Sequence, residues 1–397
     1  MAEKSEKIKQ LLERGVERIY PSKEALESVL ESGKKLRLYN GIDPTGKLHI
    51  GHMVVLKKLR QFQNLGHEVI VLIGDFTAQI GDPSNKLAAR KKITLAEVRA
   101  NAKNYKNLIG KILDTKKSNV RFLHNQKWSN KLKPVDMLEL ASNFTVQQLI
   151  ERDMFQKRIK NRKEIYLNEF LYPVFQAYDA VTMDVDLQVG GNDQTFNMLA
   201  GRHLMKKLKD KEKFVLSTKL FADNSGKKMG KSEGNIIALD DDPNEIFGKV
   251  MAFSDDLILV GLELLTDSTM SEIKHWEKEI GKEINPKDLK AKLAHSIVAQ
   301  LYSGKEADIV MKEFERIFAQ KELPTEIPEV KVASGNYDLP LLLINLEAVP
   351  SVTKARMLIE QGAVKVDEAK ISDPKAQVTV YPGMVVQVGK RSFYKVK

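Results

Sequence analysis

The order of apolar and polar residues predicts a parallel α/β sheet in the first half of the chain. Residues 36–42 (LRLYNGI) are predicted as a strand, because the run ends in a turn signal, Asp43-Pro44-Thr45-Gly46. Residues 48–65 have a helical pattern that stops at Gly66, and the nearly continuous apolar run 68–74 (EVIVLIG) is typical of a buried strand. A strand, a helix and a strand at this spacing form a βαβ unit, which predicts parallel pairing.

Farther along the chain the pattern becomes mainly helical. Strands are still predicted at 119–124 (NVRFLH) and 185–190 (VDLQVG), and the helical stretch of about 134–182 between them is expected to cover the sheet or to form a subunit contact. Asn285, followed by Pro286 and Asp288, has the features of a helix start. One apolar stripe follows this start and predicts core packing: Leu289, Leu293, Ile297 and Leu301.

A linker is predicted at residues 321–338, which contain two prolines and a glycine and have no periodicity. A last domain of about 60 residues follows it. From Asp338 to Lys397 there are nine Lys or Arg residues against six Asp or Glu residues, a net charge of +3. This excess of positive charge would suit a negatively charged partner of the last domain.

Composition narrows the chemistry. The 397 residues include no cysteine, which excludes disulfides, thiolate catalysis, iron–sulfur clusters and cysteine-ligated zinc. No stretch resembles a signal peptide or a run of about 18 apolar residues, so we expect a cytoplasmic protein with no membrane association. The net charge of +11 fits either a lysine-rich solvated surface or a polyanionic partner.

The stretch KLHIGH (47–52) has three possible interpretations. His49 and His52 could share one helix face and bind a metal, but no further histidine forms an obvious partner motif. A purely structural role is disfavoured by Gly51, which weakens a helix interior. The third interpretation fits the position best: the stretch follows the first strand and opens a helix, where α/β sheets bind nucleotides and a helix N-terminus attracts phosphate.

A second stretch, GKKMGKS (226–232), approaches a P-loop but has three residues between Gly226 and Gly230 where that motif has four. No GxGxxG sequence occurs at the first turn. HIGH (49–52) and KMGKS (228–232), in this order on an α/β frame, resemble the two motifs of class I aminoacyl-tRNA synthetases. The resemblance implies that the second motif lies on a mobile loop whose lysines stabilise the departing pyrophosphate of ATP.

Further stretches resemble bacterial tyrosyl-tRNA synthetases over essentially the whole chain. They are LYNGIDPTGKLHIGH (38–52), IGDFTAQIGDPSNK (73–86), NEFLYPVFQAYDA (168–180) and LQVGGNDQTFN (187–197). The resemblance implies that Tyr39 and Asp179 hold the phenol of L-tyrosine, and that Tyr172, Gln176 and Asp82 receive its ammonium group. Gln188 and Gln194 match further substrate contacts. A pocket that bonds a phenol rejects phenylalanine, of which this family is itself the standard example, so no editing domain is expected.

The same resemblance assigns the ATP site. The implied ATP-binding residues are Gly41, Asp43, Gly51, His52, Gly190, Asp193, Met229, Lys231 and Ser232. The implied catalytic residues are Thr45, His49, His52, Lys86, Arg90, Lys228 and Lys231. ATP with Mg²⁺ is expected as a substrate, with no tightly bound cofactor and no metal-ligating residue. The chain departs from the family pattern at Asn40, where many relatives have cysteine, and at Gly230, where serine is usual.

The last domain resembles the small RNA-binding domain of ribosomal small-subunit protein four. The resemblance rests on PSVTKARMLIEQGAVKV (350–366) and VYPGMVVQVGKRSFYKV (380–396). It implies RNA contacts by Lys354 and Arg356 on a helix and by Lys390 and Arg391 in a late hairpin. The bland alternative is a small α/β domain with ordinary surface lysines.

These observations predict an α/β protein in four parts. A Rossmann-like, HIGH-type nucleotide-binding catalytic domain spans 1–225, with the helical insertion near 134–182. The KMGKS loop and a helical tRNA-binding domain span 226–320, and the linker 321–338 leads to an RNA-binding domain at 339–397. The expected activity is ligation of L-tyrosine to tRNA(Tyr) through tyrosyl-adenylate, by a homodimer.

Three alternative functions are compatible with parts of this sequence. A tryptophanyl-tRNA synthetase would share the fold, but Asp179 with Tyr39 suits a phenol better than an indole. A metabolic nucleotidyltransferase would not need an RNA-binding domain. A non-catalytic RNA-binding relative should have lost HIGH or the lysines of the second motif, and this chain keeps both.

Overall fold

The computed structural model describes residues 2–83, 93–226, 236–318, 327–389 and 392–397. The chain divides into two compact units, residues 1–307 and residues 308–397. Among the described helices, none combines the length and the apolar character needed to cross a membrane.

The first unit is built on one six-stranded sheet. Its strands are β1 (Val16–Tyr20), β2 (Arg37–Ile42), β3 (Glu68–Ile73), β4 (Val120–His124), β5 (Leu187–Gly191) and β6 (Phe214–Thr218). The order across the sheet is β1-β6-β5-β2-β3-β4, and β1 alone pairs antiparallel to its neighbour. The predicted α/β class and parallel pairing are therefore confirmed, with strand ends shifted by one or two residues.

Helices cover both faces of this sheet and form the rest of the unit. Those before β5 are α1 (Ala2–Glu13), α2 (Lys23–Glu31), α3 (Ile50–Asn64), α4 (Thr77–Ile80), α5 (Leu95–Ala102), α6 (Tyr105–Ile109), α7 (Gln126–Ser129), α8 (Pro134–Ala141), α9 (Val146–Ile150), α10 (Asp153–Lys160) and α11 (Leu167–Met183). Those after it are α12 (Thr195–Lys209), α13 (Pro243–Met251), α14 (Asp256–Leu265), α15 (Met270–Glu279), α16 (Pro286–Leu301) and α17 (Gly304–Phe318), which crosses the boundary between the units.

Two predicted helical regions are present in the structure. The Asn285 side chain accepts a hydrogen bond from the Lys287 amide at the start of α16, and the predicted stripe Leu289, Leu293, Ile297 and Leu301 is buried. The stretch predicted as helical at 134–182 contains α8 to α11. In α11 the residues facing the sheet, including Ala177 and Ala180, pack against Tyr39 and the end of α12.

Lys58 and Arg14 donate hydrogen bonds to the carbonyl groups at the C-terminal ends of α1 and α14. The buried Lys58 of α3 donates to the carbonyl oxygens of Leu11 and Arg14, both at 2.7 Å. Arg14 in turn donates to the carbonyls of Leu262, Glu263, Thr266 and Ser268, where α14 ends. Burial lowers the pKa of Lys58 to about 7. Each cation satisfies carbonyl groups that a helix C-terminus leaves without partners.

The second unit has its own core. It contains the strands β7 (Glu329–Val330), β8 (Gly335–Asp338), β9 (Val364–Val366), β10 (Ala369–Ile371), β11 (Gln377–Val380), β12 (Val385–Val388) and β13 (Ser392–Val396), and the helices α18 (Leu339–Asn345) and α19 (Val352–Glu360). They form a five-stranded sheet, β10-β9-β12-β13-β7, and a two-stranded sheet, β11-β8. Apolar residues of α18 and α19 pack against these strands. Thus residues 329–330 and 335–338, which the sequence analysis assigns to a linker, contribute strands to this unit.

Candidate active site

A cavity of about 250 Å³ opens at the carboxyl ends of the parallel strands of the first unit. It lies where β2 and β5 are neighbours. From β2 the chain continues to β3 on one side, whereas β5 is followed by β6 on the other side. A change of direction of this kind leaves a crevice between strand ends, which is the usual binding site of open α/β sheets.

The structure gathers every described residue that the sequence analysis assigned to tyrosine or ATP into this cavity. The lining includes Tyr39, Gly41, Asp43, Thr45, His49, Gly51, His52, Asp82, Tyr172, Gln176, Asp179, Gln188, Gly190, Asp193 and Gln194. Six other assigned residues lie outside the described residues: Lys86, Arg90, Lys228, Met229, Lys231 and Ser232. The individual roles of all these residues remain predictions.

The predicted RNA-binding residues lie in the second unit. Lys354 and Arg356 are exposed on α19. Lys390 and Arg391 lie outside the described residues.

Asp179 is the acid at the buried end of the cavity. It lies on α11 with only 2 % of its surface exposed. Its Oδ1 atom accepts a hydrogen bond from Trp128 Nε1 at 2.7 Å, and its Oδ2 atom accepts one from Asn125 Nδ2 at 3.1 Å. Burial raises the pKa of Asp179 to about 7, and the two hydrogen bonds oppose that rise. At neutral pH this carboxyl group can therefore act as a proton acceptor toward a hydroxyl in the cavity.

Tyr39 faces the same end from β2. Its hydroxyl oxygen is fully buried and has no hydrogen-bond partner among the described residues. Burial and the nearby Asp179 raise the pKa of the phenol well above its ordinary value, so the hydroxyl keeps its proton. A buried hydroxyl without a partner costs free energy, which a polar ligand atom at this position would recover.

A hydrogen-bond network links Tyr172 to the turn after β2. The Tyr172 hydroxyl donates to Asp43 Oδ2 at 2.9 Å, and the Thr77 hydroxyl donates to Asp43 Oδ1 at 2.7 Å. Asn125 donates to the Thr77 oxygen at 3.0 Å, which connects this network to Asp179. Gly74 leaves the space for it, because a Cβ atom there would lie 2.1 Å from Asp43 Oδ1.

Asp82 is a further carboxylate in the lining of the cavity. Asp82 accepts a hydrogen bond from the Gln194 side chain at 2.7 Å, and Asn197 donates to the oxygen of the same Gln194 amide at 2.9 Å. These contacts fix the Gln194 side chain between α12 and the residues that follow α4. Tyr172 and Gln176 line the same cavity as Asp82, and a carboxylate is the kind of group to which an ammonium donates.

The two histidines of HIGH cap helix α3. His49 is the N-cap residue, and its Nδ1 atom accepts a hydrogen bond from the Gly51 amide at 3.1 Å. The Nδ1 atom of His52 accepts one from the His49 amide at 3.2 Å, and the two ring centroids are 4.1 Å apart. Both rings line the cavity beside a helix N-terminus, where the positive end of the helix dipole favours phosphate.

Residues 237–239, which follow KMGKS in the sequence, form backbone hydrogen bonds with the start of HIGH. Ile50 donates its amide hydrogen to the Ile237 carbonyl at 3.0 Å, and Leu239 donates to the Leu48 carbonyl at 2.9 Å. His49 and Ala238 thus form an antiparallel bridge. Residues 48–50 and 237–239, which are far apart in the sequence, are therefore joined by backbone hydrogen bonds beside the cavity.

Sequence reasoning missed three polar residues that support the site, namely Thr77, Asn125 and Trp128. Asn125 gave a signal, because it immediately follows β4, and polar residues at the carboxyl ends of parallel strands gather at one edge of a sheet. Thr77 lies within a stretch quoted for its resemblance but was given no role. Trp128 has no comparable signal, since its contact with Asp179 depends on the fold.

Comparison with known proteins gives a consistent result. The family model for tRNA synthetases class I (W and Y) matches residues 31–319, and the model for the tyrosine–tRNA ligase SYY-like C-terminal domain matches residues 319–396. The chain is 43 % identical to the tyrosine–tRNA ligase of Carboxydothermus hydrogenoformans, over 98 % of this chain and 97 % of that one. It is 42 % identical to that of Haemophilus ducreyi, over 100 % and 99 % of the two chains.

Solved structures share the fold. The tyrosyl-tRNA synthetase of Archaeoglobus fulgidus, complexed with L-tyrosine, has a TM-score of 0.60 at 23 % identity and covers 77 % of this chain and 99 % of its own. A truncated mitochondrial tyrosyl-tRNA synthetase of Aspergillus nidulans has a TM-score of 0.66 at 22 % identity, covering 80 % of this chain and 98 % of its own.

Proposed function

The chain belongs to the class I tRNA synthetases for tryptophan and tyrosine, as a tyrosine–tRNA ligase, and from this premise we propose that it joins L-tyrosine to tRNA(Tyr) in two steps through tyrosyl-adenylate. In the first step the carboxylate of tyrosine attacks the α-phosphorus of Mg·ATP, and pyrophosphate leaves. In the second, a hydroxyl of the terminal ribose of tRNA takes the tyrosyl group and AMP leaves.

The observation that carries the tyrosine assignment is the pair of polar groups at the buried end of the cavity. Asp179 offers carboxylate oxygens, and Tyr39 offers a buried hydroxyl that has no partner among the described residues. The ligand phenol would donate to Asp179 and accept from Tyr39. Phenylalanine would leave the Tyr39 hydroxyl without a partner in a dry site and would give Asp179 no hydroxyl to accept from, and an indole N–H can only donate.

The ammonium and carboxylate of tyrosine then lie toward the mouth of the cavity. Asp82, held by Gln194, together with Tyr172 and Gln176, would receive the ammonium group. This orientation directs the carboxylate toward the N-terminus of α3. The reaction needs no covalent enzyme intermediate and no general base, because the carboxylate is already a competent nucleophile.

Mg·ATP would lie along the open end of the cavity. Gly190, within β5, and Asp193, just after that strand, line the cavity, and Asp193 would accept hydrogen bonds from ribose hydroxyls. His49, His52 and Thr45 would meet the phosphates at the start of α3. Lys86, Arg90, Lys228 and Lys231, which lie outside the described residues, would add the cations that stabilise charge on the phosphates as pyrophosphate departs.

We expect tRNA to use the second unit as well as the first. Lys354 and Arg356 are both exposed on α19, and the sequence from 338 onward carries the net charge of +3. Phosphate contacts of this kind supply affinity without sequence information. We also propose a cytoplasmic location, where its substrates for protein synthesis occur.

A homodimer is proposed from the surface of the helical stretch 134–167. Several large apolar side chains on these helices, or at the cap of one, are exposed: Val135 (64 %), Leu138 (72 %), Val146 (67 %), Ile159 (46 %), Tyr166 (49 %) and Leu167 (77 %). A second copy of the chain would cover such a surface. Leu138→Asp should shift the protein to monomers in analytical ultracentrifugation, whereas Leu341→Asp, at an exposed leucine of the second unit, should leave the dimer intact.

The test of function is ATP–pyrophosphate exchange without tRNA, measured separately with each of the twenty amino acids. Exchange with tyrosine alone is expected. Exchange with tryptophan would keep the mechanism and overturn the assignment of the pocket. Exchange with no amino acid would point to an RNA-binding relative without this activity.

One variant tests the cationic part of the mechanism. Lys231→Ala should slow adenylate formation about 10²- to 10³-fold in stopped-flow measurements while tyrosine affinity changes little. Lys274→Ala, at an exposed lysine of α15, is the control and should behave as the unaltered chain. A near-normal rate for Lys231→Ala would contradict the role given to the second motif.

A further inference from the structure

Lys213 is a fully buried lysine beneath the phenol end of the cavity, just before β6. Its Nζ atom donates to Gln188 Oε1 at 2.5 Å and to the Met198 carbonyl at 3.0 Å. The same nitrogen lies 5.8 Å from the centroid of the Tyr39 ring. Lys213 itself does not line the cavity, whereas Gln188 and Tyr39 both do.

Helix α12 has a glycine at the point where it faces the Lys213 Nζ atom. Gly201 of α12 faces it, and a Cβ atom at Gly201 would lie 2.7 Å from Lys213 Nζ and 3.4 Å from Gln188 Oε1. Glycine inside a helix is destabilising relative to alanine. The contact therefore accounts for a glycine at this position in the middle of a helix.

Lys213 determines how the Gln188 amide is oriented. Burial lowers the pKa of the Lys213 ammonium well below its ordinary range, and Arg202 acts in the same direction. Charged or neutral, the amine has at least two N–H groups, one for each of its two oxygen partners. The oxygen of the Gln188 amide is thus engaged below the cavity, and its NH₂ group is left for the side on which Gln188 lines the cavity.

Gln188 and Tyr39 act as neighbours in the sheet. They are paired residues of β5 and β2, so their side chains leave the sheet on the same face. The Gln188 amide also acts against the rise in the pKa of the Tyr39 phenol, although the two side chains fall short of a hydrogen bond in this structure. With donors on the Gln188 side, the proton of the Tyr39 hydroxyl is directed toward the ligand.

We propose that Lys213 is a positioning residue for substrate selection: it holds the Gln188 amide so that Gln188 and Tyr39 present donors, and Asp179 an acceptor, to a phenolic hydroxyl. A phenol satisfies this arrangement because its oxygen accepts and its hydrogen donates. The inference rests on the proposed tyrosine site and adds to it a residue that never touches the substrate.

The test compares two single variants, their double variant and one control variant in pyrophosphate exchange with tyrosine and with phenylalanine. Lys213→Met keeps the volume but removes the N–H groups, so the Gln188 amide is free to turn. The KM for tyrosine should rise about tenfold, and the preference for tyrosine over phenylalanine in kcat/KM should fall about tenfold, as for one lost hydrogen-bond constraint. The kcat and the KM for ATP should stay within about twofold.

Gly201→Ala tests the same contact without removing the lysine. The added methyl group would displace Nζ, while alanine favours the helix, so loss of tyrosine affinity cannot be attributed to a weaker helix. Its KM for tyrosine should rise severalfold. In the double variant the effect should not exceed that of Lys213→Met alone, because the methionine has no donor left to displace. Lys207→Met, at an exposed lysine of α12, is the matched control.

The outcomes separate the inference from the proposed function. If the unaltered chain exchanges with tyrosine but Lys213→Met keeps its KM and its preference, the inference is overturned alone. It is also overturned if kcat and both KM values worsen together with thermal stability, which would show a merely structural role. If Lys213→Met does not fold, an unchanged Gly201→Ala overturns the inference and a raised KM supports it. If the unaltered chain shows no exchange with tyrosine, both fail.

Discussion

The phenol end and the phosphate end of the cavity differ in how deeply their polar groups are buried and in what holds those groups in place. At the phenol end, Asp179, Tyr39 and Gln188 are buried and are supported by further side chains behind them. At the phosphate end, Thr45, His49 and His52 are only partly buried and are positioned by a turn and a helix start. A small neutral hydroxyl can be selected only by groups removed from water, whereas a polyphosphate needs many donors on an accessible surface.

This contrast predicts how substitutions should divide. Changes at the buried end should alter tyrosine affinity and selectivity with little effect on ATP. Changes at the open end should alter the rate of adenylate formation with little effect on tyrosine. A substitution at one end that produced the effect expected for the other end would contradict this division.

The largest effect is expected for Asp179→Asn. The amide cannot take the phenolic proton as a carboxylate does, and it also disturbs the donors Trp128 and Asn125. A lost hydrogen bond to a charged group corresponds to a tyrosine KM raised on the order of 10²-fold. The KM for ATP in pyrophosphate exchange should stay within about threefold. If both KM values rose alike, the phenol end would not be a separate tyrosine site.

His49→Ser is the corresponding test at the open end. Serine keeps an oxygen that can cap α3, so the thermal stability should change little. Loss of the imidazole should slow adenylate formation by about ten- to a hundredfold, with tyrosine affinity unchanged. His49→Ala should add a loss of about 1 kcal/mol in the free energy of unfolding, because the cap is lost as well. His275→Ala, at an exposed histidine of α15, serves as the control. A tyrosine KM raised by His49→Ser would contradict the division.

The pH dependence of tyrosine binding sharpens the same comparison. Because the pKa of Asp179 is raised to about 7, the carboxylate form is lost as the pH falls below that value. Tyrosine affinity in equilibrium binding should fall about tenfold from pH 8 to pH 6. ATP affinity should not share this dependence on Asp179. Asp179→Asn should abolish this dependence.

The sign of the effect on stability is opposite. The native protein binds more protons at Asp179 than the unfolded chain does between the ordinary value of 3.8 and about 7. The contribution of this group to the free energy of unfolding is therefore greatest below that range and is lost as the pH rises through it. Calorimetry of the unaltered chain and of Asp179→Asn at pH 5 and pH 8 checks this difference.

The smallest effect is expected for Trp128→Phe. Phenylalanine keeps the aromatic ring but removes the donor to Asp179 Oδ1, so the pKa of Asp179 should rise further. The KM for tyrosine should rise about threefold at pH 7 and little at pH 9, with the midpoint of the pH profile moved upward. Trp276→Phe, at the other tryptophan of the chain, on α15, is the matched control. A threefold change that is independent of pH would show that Trp128 acts by packing alone.

The sequence allowed prediction of the open end and of the central strands. HIGH, the turn 43–46 and the apolar run of β3 are local patterns, and the position of HIGH after the first strand favoured one of its three interpretations. The described residues that the resemblance assigned to tyrosine and ATP do meet in one cavity. What could not be predicted was the support behind them: Trp128 and Lys213 reach their partners only through the fold.

The missed strands have a similar explanation. β1 (VERIY) is short, alternates with charged residues and pairs antiparallel at the edge of a parallel sheet. β6 (FVLST) follows the lysine-rich stretch 206–213 at once, which hides its start. The strands β7 and β8 are two and four residues long, too short for periodicity to distinguish them from a loop.

The cations that close α1 and α14 have a practical consequence for anyone who shortens this chain. A version starting at residue 31, where the family match begins, would lack both carbonyl groups that hold the Lys58 ammonium and the guanidinium that closes α14. It would also lack β1, which leaves β6 as an unprotected sheet edge. Such a fragment should be recovered from expression mainly as aggregate, although every described residue that lines the cavity is still present.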